Sequence, residues 1–242
     1  MDPALRNFII VVSAVWLLIG WLRSPMGRGA MGELRVKLVL GKTKPGERYI
    51  IHNLTIVQEG KSSQIDHILV NKNGVFVIET KNYSGRIYGD EHQQQWTQVL
   101  NYGRVKHKLY NPVKQNATHI YRINKVLEGK FAITSLVVFT QNNTRYITAP
   151  GVIPLSALKK TVKRKGGIEL SPEDMHTIYE TLCAARSKLS RRAHVKGIRQ
   201  MQRELNEGIC PRCSGKLVQR QGKRGTFTGC ENYPTCTFTK KA

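Results

Sequence analysis

The apolar positions of the chain recur with three different spacings. Phe8 to Leu22, FIIVVSAVWLLIGWL, is one long apolar segment without a charge, bracketed by Arg6 and Arg23. Short runs rich in β-branched residues follow at Tyr49 to Val57, Ile65 to Val70 and Val75 to Lys81. The last two are joined by Asn71-Lys72-Asn73-Gly74, and Asn-Gly marks a tight hairpin turn. Arg86 to Tyr88 and Gln95 to Leu100 read as weaker strands, and Ile133 to Thr140 as an apolar one. Helical spacing appears three times. Leu34, Val36, Leu38, Val39 and Leu40 predict a short helix over 31–40, with Gly41 to end it. Asn111-Pro112 is a helix start, an N-cap followed by Pro at the first helical position; Val113, Ala117, Ile120, Val126 and Leu127 continue it. Ser171-Pro172-Glu173-Asp174 has a capping-box pattern, and Met175, Ile178, Leu182, Ala185 and Leu189 line one face beyond it. Ser24 to Ala30, rich in Gly, Pro and Arg, reads as a linker. Alternating strands and helices predict an α/β or α+β body.

The N-terminal run allows three readings. Fifteen residues of helix span about 22 Å against roughly 30 Å of hydrocarbon. Arg6 and Arg23 can snorkel and Trp21 can sit at the interface, which makes a membrane anchor workable. A signal peptide needs a small-x-small cleavage site, and Leu22 to Met31 offers no convincing one. A buried core helix is the third reading. The anchor is favoured. Arg23, Arg28, Arg35 and Lys37 follow the run, whereas only Asp2 and Arg6 precede it. The positive-inside rule then predicts a single pass through the inner or plasma membrane, with the body in the cytoplasm.

Charge narrows the partners. Lys and Arg number 39 against 16 Asp and Glu, a formal net charge of +23. That is too basic for a typical small-molecule enzyme and points to a polyanion. Apolar residues at 40% are enough for a folded core, which argues against a mainly disordered chain. Arg186 to Arg203 holds cations and no acid, and reads as a basic helix or tether.

Two carboxylates and a lysine are placed together by the hairpin. If 71–74 is the loop, Val70 faces Val75 and paired numbers sum to a constant. Asp66 then stands opposite Glu79, with Cβ atoms about 5 Å apart. Lys81 shares the face of Glu79 because side chains alternate, and would stand opposite Gln64. Like charges this close need a proton or cation between them. Mg²⁺, which takes one or two carboxylates together with waters and phosphate oxygens, is one solution; a buried salt bridge to Lys81 is the other. His67 has the opposite parity and points away. The other histidines (His52, His92, His107, His119, His176 and His194) have no spacing that suggests a second metal site.

These residues resemble the nuclease-related domain (NERD), which is related to the PD-(D/E)xK restriction-endonuclease-like superfamily. Gly32-Glu33, Ile65-Asp66-His67, Gly74-Val75-Phe76-Val77-Ile78-Glu79-Thr80-Lys81-Asn82, Gly85, Trp96 and Asn111-Pro112 with Gln115 carry the resemblance. It implies a restriction-endonuclease-like mixed sheet flanked by helices, and Mg²⁺-dependent phosphodiester hydrolysis as the ancestral chemistry. By position it implies that Asp66 and Glu79 hold the metal, that Lys81 is the catalytic lysine, that Glu33 is an additional acid, and that Gln115 is the family's helix glutamine.

Five Cys in 242 residues make no disulfide scaffold, but four cluster near one end. Cys210-Pro211-Arg212-Cys213, then Cys230 and Cys236, have the spacing of a four-thiolate Zn²⁺ site. Cys183 stands alone on a predicted helix and is expected in its apolar face. The segment around the four resembles the C4 zinc finger of type IA DNA topoisomerases, which implies a small ribbon binding DNA, mainly single-stranded. Lys216, Arg220, Lys223, Arg224, Lys240 and Lys241 can meet phosphates, while Phe227, Tyr233 and Phe238 either stack bases or fill the ribbon core. Topoisomerase activity is not implied, since the body is too short for that catalytic domain. The expected organisation is an anchor at 8–22, a nuclease-like domain at 28–145, a helical extension and basic tether at 146–206, and the zinc finger at 207–242. The expected function is that of a membrane-anchored, DNA-binding, Mg²⁺-dependent nuclease. A non-catalytic DNA tether and an RNA-binding or RNA-processing factor are the alternatives.

Overall fold

The computed structural model of the chain describes residues 2–164, 169–189, 191–222 and 225–241. Lys223, Arg224 and the side chains of His194 and Lys241 lie outside what it describes. The apolar run forms α1 (Pro3–Arg23), and Ser24 separates it from α2 (Pro25–Leu40). Three strands follow, β1 (Arg48–Gln58), β2 (Lys61–Asn71) and β3 (Gly74–Lys81), then β4 (Arg86–Asp90), β5 (Gln95–Leu100) and β6 (Val105–Tyr110). Helix α3 (Pro112–Val126) leads to β7 (Ile133–Phe139), β8 (Ile147–Thr148), β9 (Val152–Pro154) and α4 (Leu158–Val162). Then come α5 (Pro172–Ala184), α6 (Arg191–Asn206) and the strands β10 (Leu217–Gly222), β11 (Gly225–Cys230) and β12 (Thr239–Lys241).

The main sheet is mixed, in the order β1-β2-β3-β7-β9. β1, β2 and β3 are antiparallel neighbours, whereas β7 and β9 join in parallel. Alternation assigns its faces. Ile68, Val70, Val75 and Val77 face one way, against Ile123 of α3, Leu127 just past its end, and Met175, Ile178 and Leu182 of α5. Cys183 packs at the edge of this cluster, as expected for a helix-face thiol. Leu69, Phe76 and Ile78 face the other way, against Val36 and Leu40 of α2 and Leu158 of α4. Covered faces on both sides explain why β2 and β3 read as continuous apolar runs. A second sheet, β6-β5-β4-β8, packs Ile87 and Trp96 against Val137 and Phe139 at the end of the first. The smallest sheet, β10-β11-β12, belongs to the cysteine module.

Local signals explain the element ends. Asn111 caps α3, its Oδ1 accepting from Val113 N at 2.9 Å. Ser171 and Asp174 form the reciprocal capping box of α5. Gly41 ends α2 with φ +81°. The linker expected at Ser24 to Ala30 is instead the first turns of α2. Ser24 Oγ accepts from Gly27 N at 3.1 Å and Pro25 occupies the first turn, so the Ser-Pro pair starts a helix. Gly27, part of what read as linker, sits where bulk is excluded: a Cβ there would lie 2.1 Å from Trp21 O. Helix α2 is therefore longer than the 31–40 expected. Strands β6, β8 and β9 and helix α4 had no expectation from the sequence.

Candidate active site and zinc centre

Asp66 sits where the sheet opens. The β1–β2 ladder pairs His52 with His67 and Leu54 with Ile65, and leaves Asn53, at φ +49°, and Asp66 unpaired between them. On the other side the β2–β3 ladder has the expected register, Val70 with Val75 and His67 with Ile78, and stops there. Asp66 Oδ2 accepts from Thr80 N at 2.8 Å, taking the place of a ladder bond. The strands part beyond this point, so Lys81 does not pair with Gln64 as expected. It keeps its parallel partner Phe139 on β7.

Glu79 and Lys81 converge as the alternation requires. Glu79 is 3% exposed, and Lys81 Nζ donates to Glu79 Oε1 at 2.6 Å and to Gln115 Oε1 at 3.1 Å. Gln115 lies on α3, one turn before His119, whose Nε2 stands 3.3 Å from Glu79 Oε2. That contact lacks the alignment of a hydrogen bond, so Glu79 Oε2 keeps an unused lone pair in a buried place. His119 is the residue that spacing along the sequence did not single out. Its signal is Gln115-x-x-x-His119, one face of a helix. Glu33 on α2 joins the group electrostatically, within the fields of Glu79 and Lys81. His67 does point away, its Nδ1 2.8 Å from His52 Nδ1.

The electrostatics divide the acids. Burial alone would raise the Glu79 carboxyl, but Lys81 and His119 outweigh it and hold it down at about 2. Burial opposes charge on Lys81, yet Glu79 raises its ammonium above the ordinary lysine range. Asp66 is pushed well above the usual carboxylate range, by burial and then by Glu79. Burial and Glu79 also raise Glu33, against Asn53 and Lys81. The group thus carries more acid than one lysine neutralises, the condition that a cation relieves. Two hard carboxylates beside an open lone pair match Mg²⁺ better than a softer ion.

The cysteine module fits zinc. Among the described residues, Cys210, Cys213, Cys230 and Cys236 form the group whose ligand atoms all lie within 4.8 Å of one another. Cys210 and Cys236 sulfurs are 3.7 Å apart, and those of Cys213 and Cys230 are 3.3 Å apart. A tetrahedron of Zn–S bonds has edges of about 3.8 Å. Arg212 N and Asn232 Nδ2 donate to Cys210 and Cys213 sulfurs, each at 3.4 Å, as the partners of a thiolate site do. Of the candidate DNA contacts, Tyr233 is exposed with Arg220 over its ring, Lys216 is exposed, Phe227 is half-buried, and Phe238 is buried in the ribbon core.

The ribbon docks on the nuclease-like body. Lys61 Nζ donates to Cys210 O at 2.9 Å and pairs with Glu204 of α6. Arg122, 1% exposed, joins Ser63 Oγ at 2.7 Å to Pro211 O at 3.1 Å. Arg212 reaches back to Thr118. Between ribbon, α6 and body lies a cleft of about 620 Å³ whose wall includes Gln115 and His119.

Comparison with known proteins agrees with this architecture. The nuclease-related domain (NERD) profile matches residues 28–140, and the profile of the topoisomerase DNA-binding C4 zinc finger matches residues 207–242. An uncharacterized protein of Bacillus anthracis is 34% identical over 180 residues, which is 71% of this chain and 84% of that protein. DNA topoisomerase 1 of Archaeoglobus fulgidus is 35% identical over 88 residues, and that of Methanocaldococcus jannaschii 59% over 43 residues. Those matches take in 33% and 18% of this chain but span only 13% and 6% of the two enzymes. No solved structure matches. The chain belongs to the nuclease-related domain family, and behind its nuclease-like core it carries a zinc ribbon of the topoisomerase type.

Proposed function

We propose that the chain is a membrane-anchored nuclease that hydrolyses DNA phosphodiester bonds with Mg²⁺. The observation that carries this reading is the buried Glu79–Lys81 pair beside Asp66, at the point where β2 and β3 part. Asp66 and Glu79 are the residues that would hold Mg²⁺. When bound there, the ion lowers the pKa of a water and offsets phosphate charge. Lys81, fixed by Glu79 and Gln115, is placed to orient that water or to face the phosphate. Glu33 adds a further carboxylate to the group. The four cysteines hold structural Zn²⁺, and the ribbon keeps the DNA near the site through Arg220, Lys216 and Tyr233. Helix α1 supports the anchor: the most apolar 18 residues of this 21-residue helix have a mean hydropathy of 1.9, and no residue of it is buried. The cations of α2 support a cytoplasmic body.

The test is cleavage of labelled single- and double-stranded DNA by the full chain in detergent, with Mg²⁺ or EDTA. Asp66→Ala and Lys81→Ala are expected to cut roughly 100-fold more slowly or worse with DNA affinity unchanged. Lys81→Ala also lowers the melting temperature, because it leaves the buried Glu79 carboxylate without its cation, and is assayed well below that temperature. A wild type that binds but never cuts would make the chain a DNA tether. Tighter binding and cutting of RNA would reassign it to RNA processing.

A further inference from the structure

The β5–β6 hairpin is unused by the chemistry above. Strand β6 is an edge; Lys106 and Lys108 are exposed along it, and Arg104 is exposed just before it. No carboxylate among the described residues forms an ion pair with them; Lys108 bonds only to Thr97 Oγ1, at 3.2 Å. At the tip, Asn101, Tyr102 and Gly103 all have positive φ, and this turn leaves Tyr102 fully exposed. The register Gln95 with Tyr110, Thr97 with Lys108 and Val99 with Lys106 puts these six on one face. The other face is fixed inward by Trp96, 1% exposed. Gln95 and Tyr110, at the base of the outer face, line the cleft that also contains Gln115, His119, Arg122 and Met201. A row of cations thus rises from the cleft wall to an exposed aromatic ring. Lys106 and Lys108 are about 6.8 Å apart along the strand.

We infer that this hairpin is an arm that grips single-stranded nucleic acid and feeds it into the cleft. Lys106 and Lys108 meet consecutive phosphates, and Tyr102 stacks on an unpaired base. The amide side chains of Gln95 and Gln115, with both donors and acceptors, face base edges within the cleft. Single strands suit the arm because only unstacked bases offer a face to an isolated ring. The inference rests on the nuclease reading for its direction toward Asp66 and Glu79, but its test does not.

The full chain in detergent is titrated with a labelled single-stranded oligonucleotide in EDTA, across salt concentrations. Lys106→Ser with Lys108→Ser is expected to lower the slope of log affinity against log salt by about 1.4, at about 0.7 for each phosphate left without its lysine. Tyr102→Asn, which keeps a residue tolerant of positive φ, is expected to weaken binding about fivefold or more. Lysines on an exposed edge strand also block edge-to-edge pairing. That role alone would leave affinity and slope at wild-type values and overturn the inference. The same chain in phosphatidylserine and phosphatidylcholine nanodiscs supplies the other contrary outcome. Hydrogen exchange at 100–110 slowed only by the anionic lipid, with oligonucleotide affinity unchanged in the variants, would assign the arm to the membrane. If the wild type cuts DNA and the variants match it, the inference fails alone. If the wild type never cuts while the variants lose affinity, the nuclease reading fails alone.

Discussion

Two histidine settings show what single residues do here. His119 stands 3.3 Å from Glu79 Oε2 on the helix side and helps keep that carboxylate ionised. His119→Ala should therefore weaken Mg²⁺ binding or cutting 10–100-fold, the usual cost of losing a partner behind a metal ligand. Titration of Mg²⁺ by calorimetry, beside Asp66→Ala, checks this. On the opposite face, burial and then the neighbouring His52 lower the His67 imidazole from 6.5 to about 3. The unfolded chain takes up a proton near 6.5 that folded His67 refuses, so stability is full above that pH and falls as pH drops toward 3. The loss approaches about 1.4 kcal/mol per pH unit for one such histidine. Urea denaturation at pH 7 and pH 5 reads the slope, and His67→Phe should flatten it. The convergence of Glu79 and Lys81 was legible in the sequence because side chains alternate along a strand, whereas the ladder ends at His67 and Ile78, one pair short of the expected Asp66–Glu79 pairing. His119 was not, since its meeting with Glu79 needs the packing of a helix across a sheet.

Among the elements, helix α3 shows what apolar periodicity leaves out. Its inward stripe is Asn116, His119, Arg122 and Ile123, three polar side chains and one apolar. The polar ones join elements together. Asn116 Nδ2 bonds Val77 O, Ser135 Oγ and Leu136 O, tying β3 to β7. Apolar spacing marks the flanking positions instead: Ile120 and Val126 pack against the core, Val113 packs near Trp96, and Leu127 is buried just past the helix end. The strands, the capped starts of α3 and α5 and the stop at Gly41 were readable because each depends on a few adjacent residues. Strand β6 was not, since VKHKLY has no alternation and is held by pairing to β5. Helix α2 adds a prediction of its own. A Cβ on Gly32 would lie 2.8 Å from Asn82 Cβ, and Asn82 is held by Arg28 O, Thr140 Oγ1 and Gln141 Nε2. Gly32→Ala should cost about 1–3 kcal/mol by overpacking and should displace Glu33. Chemical denaturation gives the first effect, and the cleavage rate the second.

At the scale of the molecule, the zinc ribbon and the nuclease-like core are joined by buried cations. Lys61 and Arg122 both end on backbone carbonyls of the cysteine loop, Cys210 O and Pro211 O. Removing Zn²⁺ should unfold the ribbon, because so small a segment depends on its metal. Lys61 then keeps Glu204 and Arg122 keeps Ser63 Oγ, but each buried cation loses a carbonyl acceptor, at about 1–3 kcal/mol for a buried donor left unsatisfied. Hydrogen exchange is expected to rise at 61–63 and 118–125 on chelation as well as at 207–241. Exchange confined to the ribbon would show that the contacts carry little energy. Neither the four cysteines nor the basic composition announced this docking; it comes from groups 149 and 89 positions apart in the chain.

The joint at Ser24 sets a reach. This residue closes α1 and opens α2, its own N–H bonding Gly20 O and Trp21 O while its hydroxyl caps the next helix. Nine residues of helix separate it from Glu33, about 14 Å of axial rise. With α1 in a bilayer, the carboxylates stand within one duplex width of the headgroups, and there is no slack to carry them further. Nucleic acid would have to approach along the membrane plane, in competition with anionic lipid for the same cations. The joint is in effect a ruler, and lengthening it with a flexible insert after Ser24 would change which molecules the site can touch without altering a single group within it.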